Sequence, residues 1–205
     1  MKPDSQKGKD WIGNGNSVYK PLGATNHTAD ARENNDYYAT SPIAAELLLG
    51  LEPFSRRIWE PACGEGHLSK VLEAHGYEVI STDLVYRGYG SGGVDFLSFE
   101  GTFDGDIITN PPYKYAKEFV EKALEVTEDG HKVAMFLKIL FLEGKERKAL
   151  FQSTPLRTVY VSSSRILCAK NGNFSAMEKI GGAVAYGWFV WEKGYAGEAY
   201  LRWFN

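Results

Sequence analysis

Asp106-Ile107-Ile108-Thr109-Asn110-Pro111-Pro112-Tyr113 is a short apolar run that ends in a tetrapeptide unable to extend it. The first four residues read as a strand, and the prolines stop it, because each fixes φ and removes a backbone donor. The carbonyls of Asn110 and Pro111 are thereby held stiffly at the carboxyl end of the strand, and an aromatic ring follows at once. Rigid acceptors beside a flat apolar face suit a planar heterocycle carrying an exocyclic amine, with adenine the obvious candidate.

Working outward, apolar runs alternate with helical patterns. Ser41 and Pro42 open a helix that closes at Gly50, and Arg57-Ile58-Trp59 reads as a strand entering a glycine-containing turn. A helix is expected over 67–75, strands over 77–82 and 94–96, a helix over 115–128, a strand over 132–137 and a helix over 143–151. Further strands are expected over 158–162 and 183–191. Strands alternating with helices imply a mostly parallel sheet wrapped in helices. Residues 1–35 are polar and lack either period, so they read as an arm or lid, and 36–205 as one domain.

Composition narrows the function classes. The chain has 205 residues, enough for one sizeable core, and no stretch approaches the roughly 20 apolar residues of a membrane span. A soluble, cytoplasmic protein is expected. Two cysteines, Cys63 and Cys168, are too few for a disulfide framework, and no Cys or His cluster has metal-ligand spacing. The net charge of −3 conceals an asymmetry: residues 1–110 carry 9 basic and 16 acidic side chains, whereas 136–175 carry 7 basic and 2 acidic. A basic patch on an acidic protein is the footprint expected where a phosphate backbone docks, although a solvated lysine-rich surface gives the same count.

Three more motifs fall at predicted strand ends. In Glu60-Pro61-Ala62-Cys63-Gly64-Glu65-Gly66 the glycines permit close backbone approach to a ligand, and the following helix start offers free amides. Asp83 ends the next strand about 20 residues on, where a carboxylate accepts the ribose hydroxyls of a nucleoside. Asp95-Phe96 ends the third, with an acid and an aromatic able to hold adenine. No Lys-containing phosphate loop of the NTPase kind is present.

With these motifs in this order, the chain from about 26 to 203 resembles the S-adenosylmethionine-dependent DNA N6-adenine methyltransferases, most of all the small phage and prophage enzymes. The resemblance implies an α/β, Rossmann-like class I methyltransferase fold: a mostly parallel seven-stranded sheet flanked by helices, with an antiparallel carboxy-terminal strand. It implies S-adenosylmethionine as cofactor, held by Tyr38 and Thr40 of Asn35-Asp36-Tyr37-Tyr38-Ala39-Thr40, by Glu60, Ala62, Gly64, Gly66, Asp83, Asp95 and Phe96, and by Asn110. The catalytic set is Asn110, Pro111, Pro112 and Tyr113. Asn110 and the Pro111 carbonyl accept the N6 hydrogens of a flipped-out adenine while Tyr113 stacks on the base. A direct transfer leaves no role for a Cys63 thiol adduct.

The partner implied is adenine-containing duplex DNA, met by a monomer or weak homodimer without a metal. No large insertion precedes Asn110, so recognition is expected from short loops over about 138–182. Lys114, Lys138, Arg165, Lys170, Asn171 and Asn173 carry suitable groups for phosphates or base edges; for Lys138 the pocket wall is an equal expectation. The same tetrapeptide also serves enzymes that methylate RNA bases or protein glutamine. A catalytically silent methyltransferase-fold regulator that binds DNA is a further alternative.

Overall fold

The structure, a computed structural model, describes residues 38–164, 166, 168–170 and 184–205. The expected arm, 1–35, and the expected recognition residues Arg165, Asn171 and Asn173 lie outside the described residues; of Tyr38 and Lys170 only the backbone is described.

The element order is β1 (Tyr38–Thr40), α1 (Pro42–Leu51), β2 (Arg57–Glu60), α2 (His67–Ala74), β3 (Glu78–Ser81), β4 (Asp106–Thr109), α3 (Ala116–Val126) and β5 (Lys132–Lys138). α4 (Lys145–Ser153), β6 (Leu156–Ser162), β7 (Cys168–Lys170), β8 (Tyr186–Glu192) and β9 (Tyr200–Phe204) follow. Seven strands make one sheet in the order β3-β2-β4-β5-β8-β6-β9, while β1 and β7 form a separate antiparallel ribbon with Thr40 opposite Cys168. β3, β2, β4 and β5 are parallel, and β8 alone runs against its neighbours β5 and β6.

Alternation along the strands sorts side chains into two cores, one on each face. Trp59, Ile107, Met135 and Phe189 point to one face, where α3 contributes Phe119, Val120 and Ala123 and α4 contributes Leu150. Ile58, Ile108, Ala134, Phe136 and Trp188 point to the other, against Ala44, Ala45 and Leu48 of α1 and Leu68 and Leu72 of α2. β4 is buried at all of its positions, which explains why it reads as a continuous apolar run rather than an alternating one.

One expected strand is corrected, and two further elements appear. Val94-Asp95-Phe96 is not a strand: the Asp95 carboxylate accepts from Leu97 N–H at 3.0 Å and Ser98 Oγ at 2.7 Å, which starts a 3-10 turn, Phe96–Ser98. Among the described residues the sheet ends at β3 on that side, with an isolated bridge from Thr82 to Ser91 beyond it. On the opposite side an unexpected strand, β9, pairs parallel with β6 and supplies the seventh place. The ribbon of β1 and β7 was equally unforeseen.

Candidate active site

The carboxyl ends of β2, β3, β4 and β5 lie side by side, and the predicted motifs gather there. Between β2 and α2 the turn runs through Gly64 and Gly66 at φ of 53° and 76°, a left-handed backbone that a side chain would strain. A Cβ on Gly66 would also strike the ring of Tyr89, which packs over the start of α2. Tyr89 is fixed there by its hydroxyl, which donates to Glu73 Oε1 at 2.6 Å, and by the Lys70 ammonium 4.9 Å from its ring centroid.

Asp83 ties the loop to the neighbouring strand end. Its Oδ2 accepts from Gly64 N–H and its Oδ1 from Val85 N–H, each at 2.9 Å. Those bonds aim the half-exposed carboxylate across the glycine turn and leave lone pairs for a ligand. Beneath the loop, Glu60 is buried and accepts from Ser69 Oγ, which also meets Ser81 Oγ at 2.6 Å, so the carboxyl links β2, α2 and β3. Burial pushes the Glu60 carboxyl up to about 8. Glu60 therefore props the loop from below, at the end of the strand that enters the glycine turn. Cys63 is also buried, with its thiol pushed up to about 12 by burial.

Phe96 is placed differently from the exposed residues of the rim. Its ring lies in the core, edge-on to Trp59 at 5.1 Å and 5.1 Å from Phe119, so it presents no face for stacking on a ligand. Asp95, at the start of the same turn, is exposed, with its carboxylate bonded to Leu97 and Ser98. Ala62 is half-buried in the glycine turn.

At the end of β4 the chain passes through Pro111 and Pro112 into a 3-10 turn, Tyr113–Tyr115. The Tyr113 hydroxyl donates to Cys168 Sγ at 3.3 Å, and Asn110 Nδ2 lies 4.0 Å from the same sulfur. Cys168 is buried at 4% exposure and its thiol is pushed up to about 12 by burial, so it stays protonated. Burial likewise raises the Tyr113 phenol well above its usual range, which keeps it a donor. Because Cys168 pairs with Thr40, the ribbon brings Thr40 to this place too.

The ring of Tyr113 is bordered by Tyr186, 5.8 Å away, which in turn stacks on Phe136 at 5.4 Å. Over it lies the Lys138 ammonium, 4.4 Å from the centroid. That position puts Lys138 beside the tetrapeptide and is compatible with both expectations for it, pocket wall and phosphate contact. Lys114, exposed, reaches over the ring of Tyr115 at 5.0 Å. Tyr186 also lines an open cavity of about 270 Å³ together with Ser162, Ser163, Ser164, Ile166 and Ala185. Cys168, Tyr186 and Tyr89 were not singled out from sequence. Nothing local marks them, since each reaches the site through pairing or packing that a linear pattern does not carry.

No protein-family model matches the chain, and no curated protein matches it in sequence. Solved structures do match in fold. A modification subunit of a type I restriction enzyme from Vibrio vulnificus superposes with a TM-score of 0.58 at 13% identity, over 83% of this chain and 48% of its own. A class I S-adenosylmethionine-dependent methyltransferase from Listeria monocytogenes gives 0.55 at 13% identity, over 78% and 62% respectively. A protein from Agrobacterium tumefaciens described as an O-methyltransferase gives 0.54 at 13% identity, over 80% and 84%. The chain thus spans about half of the first and under two thirds of the second. Its fold is the class I methyltransferase fold, an α/β sandwich around a mostly parallel seven-stranded sheet.

Proposed function

We propose that the protein transfers a methyl group from S-adenosylmethionine to N6 of an adenine flipped out of DNA. The observation that carries this reading is the position of Asn110-Pro111-Pro112-Tyr113. It leaves β4 directly beside β2, whose glycine turn and Asp83 partner have the features of a nucleoside-holding loop. Restriction-modification subunits among the structural neighbours support a DNA substrate.

The residues fit such a cofactor. Gly64 and Gly66 let the backbone come close, Asp83 presents a carboxylate for ribose hydroxyls, Asp95 stands at the rim for the adenine end, and Thr40 arrives on the ribbon. When bound, the cofactor supplies an electrophilic sulfonium methyl. Asn110 Oδ1 and the Pro111 carbonyl accept the N6 hydrogens, which draws the amine out of conjugation and turns its lone pair toward the methyl. Tyr113 and Tyr186 provide apolar ring faces beside the base. Catalysis on this reading is positioning plus electrostatic stabilisation, with no covalent enzyme intermediate.

The test is transfer of labelled methyl from S-adenosylmethionine to unmethylated duplex DNA, with nucleoside digestion, mass spectrometry and parallel RNA and protein substrates. N6-methyladenine in DNA is the expected product. Label confined to RNA or protein would overturn the substrate, and no label despite cofactor binding would favour the silent regulator.

A further inference from the structure

The 3-10 turn that leaves β5, Ile139–Leu142, divides its side chains between core and solvent. Phe141 is buried, edge-on to Phe151 at 5.7 Å and to Phe189 at 5.8 Å. Leu140 and Leu142, on either side of it, are 65% and 40% exposed. The backbone that carries them is braced at both ends. Ile139 N–H donates to Ala185 O at 2.9 Å, and Glu143 N–H to Leu140 O at 3.1 Å. Arg147 Nη1 donates to the same carbonyl at 3.3 Å, and its guanidinium carbon lies 5.3 Å from the Phe141 ring centroid. The result is an apolar knob on a fixed base.

Its place in the molecule gives that knob a use. Lys138, the residue before the turn, reaches over Tyr113, so the knob rises beside the catalytic tetrapeptide. Lys138 precedes the turn, and Lys145, Arg147 and Lys148 follow it at the start of α4, against the acidic Glu143 and Glu146. Among the other large exposed apolar side chains of the described residues, Tyr200, Leu201 and Trp203 lie on the β9 edge, Ile80, Leu84 and Tyr86 on or beyond the β3 edge, and Ile43 at the start of α1. Tyr115, 43% exposed, also stands beside the tetrapeptide, with the Lys114 ammonium 5.0 Å from its ring centroid. Apolar exposure next to the pocket, a rigid backbone and a cationic surround are the three requirements of a side chain that enters stacked bases. The cations hold the phosphates while the apolar group takes the place of an unstacked base.

We propose that Leu140, supported by Leu142, is the wedge that enters the DNA duplex and fills the gap left when the target adenine leaves the stack. This rests on the DNA-adenine reading above. Flipping a base costs its stacking and pairing, and a wedge offsets part of that cost in a duplex. In a single strand there is no paired stack to refill, so Leu140 has nothing to offset there.

That asymmetry supplies the test. Once the methylated position has been mapped, kcat/KM is measured on a duplex and on the single strand of the same sequence, for wild type, Leu140→Ala and Leu140→Met. In parallel, 2-aminopurine at the target position reports extrusion through its fluorescence rise. Leu140→Ala is expected to lose about tenfold on the duplex together with the fluorescence rise, and to stay within about twofold of wild type on the single strand. Leu140→Met should recover most of the duplex activity, and Leu201→Ala on the β9 edge should match wild type on both. Equal loss on both substrates, or no loss on the duplex, overturns the wedge while leaving the methyl-transfer reading intact. Wild-type protein that methylates neither form of DNA overturns both.

Discussion

One strand, β5, begins and ends with a lysine, and the two ends of the sheet treat them differently. At the amino end Lys132 Nζ donates to Glu52 Oε2 at 2.8 Å, where Arg157 Nη1 also arrives at 3.1 Å and the Tyr160 hydroxyl reaches Oε1 at 2.6 Å. Asp106, the first residue of β4, accepts there from Lys132 N–H at 2.7 Å and meets His131 Nδ1 at 3.2 Å. At that end the two carboxylates, Glu52 and Asp106, are held by cations, a phenol and a backbone amide of the fold itself. At the carboxyl end Lys138 rests on a ring, and Cys168 sits against Asn110 and Tyr113 through weak sulfur contacts. Strong, closed networks contribute stability; weak contacts around stiffly mounted acceptors leave a place that a ligand can take.

The sharpest way to break this division is Asn110→Ala. On the reading above it removes an acceptor that works on the reacting amine, so turnover should fall by about a hundredfold to a thousandfold. Cofactor affinity measured by calorimetry, and the melting temperature, should stay close to wild type. Turnover that survives the change would remove the carboxyl end of β4 from catalysis.

Lys132→Met is the counterpart at the other end. It strips a principal partner from Glu52, a carboxylate only 4% exposed, and should destabilise the fold by about 2–4 kcal/mol while sparing the turnover of folded enzyme. Burial raises the Glu52 carboxyl, but hydrogen bonds from Lys132 and Tyr160 and the charges of Lys132 and Arg157 outweigh it and hold it below the ordinary value of 4.5. A depressed carboxylate contributes stability that is present above 4.5 and lost as pH falls through its folded value. Denaturation in urea as a function of pH should therefore show a shallower acid-side loss in Lys132→Met than in wild type; an unchanged acid limb would detach Glu52 from that lysine.

Glu60→Gln probes the cofactor side, with the opposite sign. Its folded value of about 8 lies above the ordinary 4.5, so its contribution is fully present below 4.5 and is lost as pH rises through 8. The amide variant keeps a neutral group beneath the loop at every pH. Its stability should be flatter than wild type between pH 5 and pH 8, by urea denaturation at each pH. A wild-type profile already flat across that range would mean the buried carboxyl does not resist ionisation.

How much of this was legible in the sequence depends on whether a feature is local. The helix-sheet alternation, the glycine turn and the break after β4 are written in consecutive residues, and each stands at the strand end where it was expected. Asp95 misled because an Asp after a valine reads as the close of a strand, whereas its carboxylate captures the next two donors and turns the chain. Phe96 misled because an aromatic at a rim and an aromatic in a core look alike until Trp59 and Phe119 are placed around it. The neighbourhood of Cys168 was invisible, since 58 residues separate it from Asn110 and a short ribbon brings them together.

Lys138→Met is the smallest expected effect and the closest test of the contrast between the two lysines, because it makes on the same strand the change that Lys132→Met makes at the other end. The ammonium over Tyr113 is a partly exposed cation–π contact, worth about 0.5–1 kcal/mol, so the melting temperature should fall by only a few degrees. Methionine keeps the length of the side chain and its packing on the ring, and loses the charge. If that charge also meets a phosphate when DNA binds, KM for the duplex should rise a few-fold, the salt dependence of binding should flatten by about one unit of slope, and kcat should hold. An unchanged salt slope would confine Lys138 to the pocket wall. A stability loss as large as that of Lys132→Met would mean that the carboxyl end of β5 is braced as firmly as the amino end, and the contrast between them would fall.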